Sequence, residues 1–254
     1  MEIRRVRSIE EYKRVENMQK EIWGMEGEYP VPVTILVAIN NNGGLVEIAM
    51  EGERAVGFSL AFPGKKGDYE YLYSHMAGVI EEYRNSNVGY EIKMHQFKVA
   101  KELGYNEVRW TFDPLKVRNS YFNTHKLKAF AFDYKINYYG HMDSRENRGV
   151  ESDRIEAHKF LDRTPVSNSQ FTILGRIKEG GIPFDEFLEP VDDFIALEVL
   201  EEIPRSDIEI LRRWRERTRE AFLKLEEKGY VMVDVKRESP YAYLIFAKRE
   251  KSGL

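Results

Sequence analysis

The residues whose types and spacing point to chemistry lie in one stretch, from Tyr71 to Gly104. Its centre is a polar turn, residues 84–89, that reads Arg-Asn-Ser-Asn-Val-Gly. The turn follows a β-rich run and opens a helical pattern that ends at Gly104. The first N–H groups of a helix have no intrahelical acceptor, and the helix dipole makes that end positive. The turn therefore predicts a phosphate site, although the same pattern is also typical of a plain connection between a strand and a helix.

The strand before the turn, Tyr71 to Val79, carries polar and aromatic side chains. In an extended strand every second residue shares a face. This periodicity predicts that Tyr73, His75 and Ala77 lie on one face.

Composition bounds the classes of protein that need to be considered. The chain has 254 residues, enough for one large α/β domain or two modest ones. Hydrophobic residues at 42% and charged residues at 32% are typical of a soluble globular protein. The sequence has no cysteine, which excludes disulfides, thiolate zinc sites and a cysteine nucleophile. The net charge of −4, with acidic and basic residues interleaved, argues against non-specific binding to nucleic acid.

The amino-terminal residues do not resemble a targeting segment. They lack an apolar core, and no apolar run in the chain is long enough to cross a bilayer. We therefore expect a cytoplasmic protein with no membrane partner. The abundance of Glu, Lys and Arg is compatible with a thermophilic source.

The order of predicted elements in residues 1–161 indicates a mixed sheet. An antiparallel meander feeds a β-α-β unit, and such a sheet has helices on both faces. Ser8 and Glu11 form a capping-box pattern before the first helix. The predicted strands cover residues 2–7, 45–50, 54–62, 71–79, 107–112, 132–139 and 153–161. The predicted helices cover residues 9–23, 33–39, 88–103 and 119–128, and residues 63–68 are predicted to form a hairpin loop.

A second, smaller unit is predicted after an irregular connector at residues 162–192. Residues 193–254 have the pattern of a β-α-β-β unit, whose long helix is preceded by Ser206 and Glu209 in a second capping box. A core of about sixty residues is marginal by itself. We therefore expect this unit to pack on the first domain.

The order of elements in the first 160 residues resembles the GNAT superfamily of acyl-CoA-dependent N-acyltransferases. The family signature, Gln/Arg-x-x-Gly-x-Gly/Ala, lies between the fourth strand and the third helix. Here Arg84 and Gly89 match it, while Asn87 replaces the first glycine. Asparagine tolerates the left-handed conformation better than other non-glycine residues. The C-terminal unit lies outside the common fold and would be an extension of it.

This resemblance implies a cofactor and a place for it. Acetyl-CoA or another acyl-CoA would bind with its pantetheine arm between the fourth and fifth strands, along the backbone of Ala77, Gly78 and Val79. The Val79 N–H would polarise the thioester carbonyl. Arg84 would lie beside the pyrophosphate, and backbone amides would hold it. Those amides belong to Asn85, Ser86, Asn87, Val88, Gly89 and Tyr90.

The resemblance also implies proton carriers. His75 would be the base, directly or through water, since a neutral imidazole suits that role; the alternative is a strand histidine that only packs under the helix. The position of the usual tyrosine acid holds Thr124, so Tyr121, one turn earlier, is the candidate acid. Asn119 is expected to contact the pantetheine or the leaving thiol, and Tyr73 to line the acceptor site.

The sequence gives less information about the acceptor than about the cofactor. Arg145 and Arg148 could bind a carboxylate of an amino-acid acceptor or of a succinyl group; the alternative is a surface loop with ordinary charges. We expect transfer of an acetyl or succinyl group to the amine of a small molecule. Two alternatives stay open: a protein N-terminal or lysine acetyltransferase, and a non-catalytic acyl-CoA-binding protein.

The remaining expectations concern metals and partners. The histidine spacing does not match a set of metal ligands, so no metal site is predicted. A small-molecule amine is the expected partner, nucleic acid is not, and a homodimer is one option for the assembly.

Overall fold

Helices and strands form where the sequence supplies their caps and apolar stripes. The computed structural model describes residues 1–24, 30–140, 150–185, 188–203 and 207–254. The chain folds as two units, Met1–Trp110 and Thr111–Leu254. Among the described residues, no helix has both the length and the apolar character needed to cross a membrane.

The first unit has a mixed sheet in the order β1-β2-β3-β4-β5. Neighbouring strands are antiparallel from β1 to β4, and β5 runs parallel to β4, as the sequence predicts. The strands are β1 (Glu2–Arg5), β2 (Leu45–Glu51), β3 (Arg54–Lys66), β4 (Tyr69–Val79) and β5 (Glu107–Phe112). The helices are α1 (Ile9–Trp23), α2 (Val33–Asn41) and α3 (Val88–Glu102).

Helices cover both faces of this sheet. Each face of the sheet has its own apolar cluster, because neighbouring residues of β2 such as Ile48 and Ala49 point to opposite faces. Ile48 packs in a cluster with residues of α1 and α2, and Ala49 packs in another with Val88 and Ile92 of α3. Ser8 caps α1 as predicted, since its hydroxyl accepts the Glu11 N–H at 3.3 Å.

The hairpin between β3 and β4 differs from the prediction. Residues 63–66 were expected in a loop, but they belong to β3 and pair with residues 69–72 of β4. Gly64 allows this, because a Cβ on it would lie 2.3 Å from the Tyr71 ring that covers it. The turn itself shrinks to two residues, with Gly67 at φ 61°.

The second unit has the strand order β7-β6-β10-β11-β9-β8. Its pairs are antiparallel except for β8 and β9, which are parallel. The strands are β6 (Phe130–Lys135), β7 (Arg154–Phe160), β8 (Thr172–Gly175), β9 (Phe194–Leu200), β10 (Tyr230–Glu238) and β11 (Tyr241–Lys248). The helices are α4 (Val117–Ser120) and α5 (Ile208–Glu227).

Several boundaries in this unit correct the sequence predictions. The helix expected over residues 119–128 is the short α4 followed by a π-helical turn, Tyr121–Lys126. The connector contains β8, which pairs with β9. The N-cap of α5 is Asp207, whose carboxylate accepts two backbone N–H groups; Ser206 lies outside the described residues. The β9-α5-β10-β11 succession agrees with the predicted β-α-β-β unit.

The division into structural units falls between Trp110 and Thr111. Ala131 of β6 pairs with Met232 of β10, so the last strands of the predicted first domain share a unit with the C-terminal strands. The assignment of residues 1–161, 162–192 and 193–254 to a domain, a connector and an extension stays a prediction.

Candidate active site

A β-bulge places His75 at an irregular point of β4. Leu60 and Ala61 are consecutive on β3, but their partners on β4 are Met76 and Ser74, so His75 is the extra residue. A bulge interrupts strand alternation and re-aims side chains. This feature has no signature in the sequence.

The bulge divides β4 into two segments, and the alternation of side chains between the two faces of the sheet shifts from one segment to the other. Tyr73 and His75 share a face, since both rings contact Phe62, with centroids 5.3 and 5.8 Å apart. Beyond the bulge Val79 packs in the cluster with α3, and Ala77, two residues earlier, shares that face. The prediction that Ala77 lies on the face of Tyr73 and His75 is therefore wrong.

One backbone edge of β4 is open beyond the bulge. Pairing with β5 covers Tyr73 and Leu72, and within the described chain it does not continue to Val79. The Ile80 N–H donates to Val56 of β3 at 3.1 Å. Because amide directions alternate along a strand, the N–H groups of Ala77 and Val79 point to the opposite, open edge. An edge of this kind can accept an extended ligand as an additional strand.

The turn after β4 has the backbone geometry of an anion site. Asn85 and Asn87 have φ values of 66° and 70°, in the left-handed region that asparagine tolerates. Asn87 leads directly into α3, and no side chain within the described ranges caps that end. The first amides of α3 therefore face outward at the positive end of the helix. A Cβ on Gly89 would meet only Val79, at 3.8 Å, so this position has room for the alanine that the family signature allows.

Arg84 connects the turn to α1. Its Nη2 donates to the Ile22 carbonyl at 3.2 Å, near the C-terminal end of that helix. The Ser86 hydroxyl donates to the Tyr83 carbonyl at 2.5 Å, inside the turn. The Ser86 N–H also donates to the Tyr83 carbonyl, at 3.4 Å, so this amide is already engaged within the turn.

His75 has an environment that favours its neutral form. Surrounding side chains desolvate the ring and lower its pKa, although more than a third of the residue's surface stays accessible. A neutral imidazole with an accessible edge can accept a proton near neutral pH.

A buried lysine lies under the same strand, on the opposite face. Lys93 of α3 donates to the Ser74 hydroxyl at 3.0 Å and to Gln96 Oε1 at 2.7 Å, and its Nζ lies 3.9 Å from the centroid of the Trp110 ring. Burial lowers the pKa of Lys93 to about 7, against a smaller opposing effect of Glu47. Sequence reasoning missed Lys93, because a lysine on an amphipathic helix is usually exposed.

Two expected site residues belong to the second unit. Asn119 is exposed on α4, and Tyr121 begins the π-helical turn, a kind of irregularity frequent at functional sites. The Tyr121 ring stacks on His125 at 4.5 Å, and the Arg237 guanidinium lies 5.3 Å from its centroid. Thr124 is buried and its hydroxyl donates to the Ser120 carbonyl. Arg145 and Arg148 lie outside the described residues.

The second unit also contains a group with metal-ligand chemistry. Asp133, Glu156 and His158 bring ligand atoms within 4.8 Å of one another, a proximity that the histidine spacing did not reveal. Lys135 Nζ lies 3.3 Å from Glu156 and already supplies a positive charge there. The absence of a metal site stays a prediction.

Solved acetyltransferases share this fold. An aminoglycoside 6′-acetyltransferase type Ii aligns with a TM-score of 0.51 and 17% identity, over 63% of this chain and 97% of its own. A putative acetyltransferase from Salmonella typhimurium, solved with acetyl-CoA, gives 0.52 and 13%, over 67% and 99%. The ribosomal-protein-S18-alanine N-acetyltransferase from Escherichia coli gives 0.50 and 10%, over 67% and 98%. No family model matches the sequence, and no curated protein matches it.

These likenesses establish the fold class. The chain has a GNAT-like acetyltransferase fold with a mixed sheet, which confirms the fold predicted from the sequence. Identities of 10 to 17% show a shared architecture, and the reaction has to be argued from the site.

Proposed function

We propose that the protein is an acyl-CoA-dependent N-acyltransferase. It transfers an acetyl or succinyl group from the thioester to the amine of a small molecule, with an amino acid as the leading candidate. The observation that carries the proposal is the open edge of β4, which leads through the turn at residues 84–89 to the uncapped start of α3. An extended arm with a pyrophosphate at one end, as in coenzyme A, fits these two features together.

The cofactor binds mainly through the backbone. The pantetheine arm pairs with Ala77 and Val79 at the open edge, while the amides from Asn85 to Tyr90 hold the pyrophosphate. The Val79 N–H donates to the thioester carbonyl and stabilises the negative charge that develops on its oxygen. Arg84 holds the end of α1 beside the turn and directs its remaining N–H groups towards the phosphates.

Transfer needs one base and one acid. The amine nitrogen attacks the thioester carbon, the carbon–sulfur bond breaks, and the thiolate leaves with the bonding electrons. His75 accepts the proton that the amine loses, directly or through a water molecule. Tyr121 donates a proton to the leaving thiolate, and Asn119 contacts the pantetheine. Tyr73, on the face of His75, lines the acceptor site.

The acceptor is proposed from charge. Arg145 and Arg148 bind the carboxylate of the acceptor or of a succinyl group. A protein N-terminus or lysine is the second candidate acceptor, since the fold is shared with a ribosomal-protein N-acetyltransferase. One observation supports the alternative of a non-catalytic acyl-CoA-binding protein. Thr124 stands at the position of the usual acid, and it is buried with its hydroxyl bonded to the helix backbone.

A thermal-shift experiment tests the cofactor. A ligand that binds only the native state, present at one hundred times its Kd, stabilises the native state by about 2.7 kcal/mol. Acetyl-CoA or succinyl-CoA should therefore raise the Tm. The Asn87→Val variant, which strains the turn, should respond less. If neither thioester raises the Tm of the wild type, the proposal is wrong.

A thiol-release assay tests turnover. The thioester that binds is offered with a panel of D- and L-amino acids and with peptides that carry free amines. The His75→Ala variant should lose activity and keep its thermal shift, whereas Glu70→Ala, on the same strand, should keep both. Binding without thiol release for any amine would favour the non-catalytic alternative.

The other expectations remain predictions: a cytoplasmic location, a thermophilic source and a homodimeric assembly.

A further inference from the structure

A cavity in the first unit lies beside β1 and the middle of α3. Its volume is about 590 Å³, and three of its lining side chains are Arg5, Arg7 and His95. None of its lining residues comes from β4 or from the turn at residues 84–89. The cavity is therefore separate from the proposed acyl-CoA site.

Arg5 is held at the cavity by one nitrogen. Its Nη2 contacts the Asn40 carbonyl at 2.7 Å, the Asn40 side-chain oxygen at 3.1 Å and the Gly44 carbonyl at 3.4 Å. Among the described residues, Nε and Nη1 of Arg5 have no such acceptor. The guanidinium is thus fixed in place with donors to spare.

Arg7 adds a charge that the described residues do not neutralise. Its backbone N–H donates to Glu11, but its guanidinium forms no ion pair within the part of the chain that the structure describes. Neighbouring Arg4 differs, because Glu11 and Glu2 bind it at 2.5 and 3.2 Å. Arg5 and Arg7 are two residues apart, which places both side chains on one face of an extended segment.

His95 presents a third donor. Its Nδ1 contacts Glu47 at 2.5 Å, and Glu47 is completely buried and also accepts the Ser59 hydroxyl. The hydrogen bond to Glu47 raises the pKa of His95, and the negative charge of Glu102 adds to this effect. Desolvation and the positive charge of Lys98 lower the pKa, but they do not outweigh Glu47. The protonated ring carries a hydrogen on Nε2, for which the described residues supply no acceptor.

We propose that this cavity binds a small organic oxyanion, through Arg5, Arg7 and His95. Three side chains that can carry a positive charge line one space, and two of them have guanidinium groups, whose planar forks match phosphate and carboxylate oxygens. The volume exceeds that of a bare phosphate, so the ligand is a metabolite that carries phosphate or carboxylate groups. The site is a second anion site of the protein, independent of the cofactor and of the reaction.

Isothermal titration tests the cavity with two probes, inorganic phosphate and citrate, at low ionic strength. The wild type should bind at least one of them. Arg7→Gln should raise the Kd by roughly tenfold or more, because it removes a charge-assisted donor. Arg14→Gln, which removes a charge from the exposed face of α1, is the matched control and should leave the Kd unchanged. The relative affinity of the two probes distinguishes a phosphate ligand from a carboxylate ligand.

Nuclear magnetic resonance gives a readout that a structural effect would not mimic. In the wild type labelled with ¹⁵N-histidine, the Nε2 resonance of His95 should shift on addition of the probe, and the His95→Gln variant assigns it. Absence of binding by both probes would overturn the proposal. Binding that persists unchanged in Arg7→Gln, or that leaves the His95 resonance in place, would locate the anion elsewhere and would also overturn it.

Discussion

At the scale of single residues, His75 is the proposed base. The sequence places it on a strand at the right spacing, but its orientation depends on the bulge, which no local pattern indicates. Its accessible edge and its contact with Phe62 come from the structure.

The pH profile of turnover tests this histidine. Since desolvation lowers the pKa of His75, the base is unprotonated at neutral pH, and the acidic limb of kcat/KM should lie below the ordinary histidine value of about 6.5. The limb is measured with the thiol-release assay, and it should vanish with the activity in His75→Ala. A limb at or above the ordinary value would assign the base to another group.

Lys93 makes stability depend on pH. Its pKa falls from 10.5 in the unfolded chain to about 7 in the native state. Between these values the unfolded chain binds more protons, so the free energy of unfolding should rise with pH through this window. In Lys93→Met that rise should be smaller. Urea unfolding at the two ends of the window measures it, and equal slopes in both proteins would contradict the burial of the charge.

The sequence predicts the conformation or burial of some residues and not of others, and the difference has a physical reason. The cap at Ser8 and the left-handed position at Asn87 follow from local chemistry, and both are confirmed. Lys93 and Glu47 are buried by contacts between distant elements. A lysine on a helix and a glutamate on a strand give no local sign of such burial.

At the scale of elements, the turn between β4 and α3 carries the proposed anion site. Asn87 stands where the signature that the turn resembles has a glycine, and its φ of 70° lies in the left-handed region that glycine adopts freely. The element was predictable because asparagine and glycine share this region of backbone space. The length of β3 was not predictable from the sequence, since a contact across the strands, between Gly64 and Tyr71, extends the hairpin.

Substitutions at Asn87 should separate backbone geometry from side-chain chemistry. Asn87→Gly keeps the left-handed conformation, so stability should change by less than about 1 kcal/mol and acyl-CoA binding should persist. Asn87→Val should cost roughly 1–2 kcal/mol, because a β-branched residue is strained there. Thermal unfolding with and without acetyl-CoA measures both effects. Equal behaviour of the two variants would show that the turn's conformation does not matter.

At the scale of the molecule, charge pairs fasten α5 within the second unit. Arg215 binds Asp113 through two contacts of 2.8 Å, and both residues are buried. Arg219 binds Asp153, which also accepts the Tyr134 hydroxyl. No local pattern indicates these pairs, because the acidic partners of Arg215 and Arg219 lie far away along the chain.

Removing one partner of the buried pair should weaken the second unit. Arg215→Met leaves the Asp113 carboxylate buried without its cation, which should cost about 3–5 kcal/mol. The double variant with Asp113→Leu should recover much of this loss, since no charge then remains buried. Urea unfolding of the two single variants and the double variant forms the cycle. Additive losses would show that the two residues act independently.

Pairing between distant strands has the least local signal in the chain. Ala131 pairs with Met232, over a hundred residues away, and no pattern of neighbouring residues indicates such a contact. The predicted limit near residue 161 stays a prediction.

The open edge of β4 has a consequence for the protein before any cofactor arrives. Unpaired backbone amides on a strand are a template on which another chain can add, and that leads to aggregation. Here the unpaired segment is short, and the bulge at His75 lies at one end of it, so a foreign strand would find only a brief register. Acyl-CoA would cover the segment completely. If the proposed function holds, the bound cofactor would therefore also protect the protein from self-association, and the protein without cofactor would be more exposed to it.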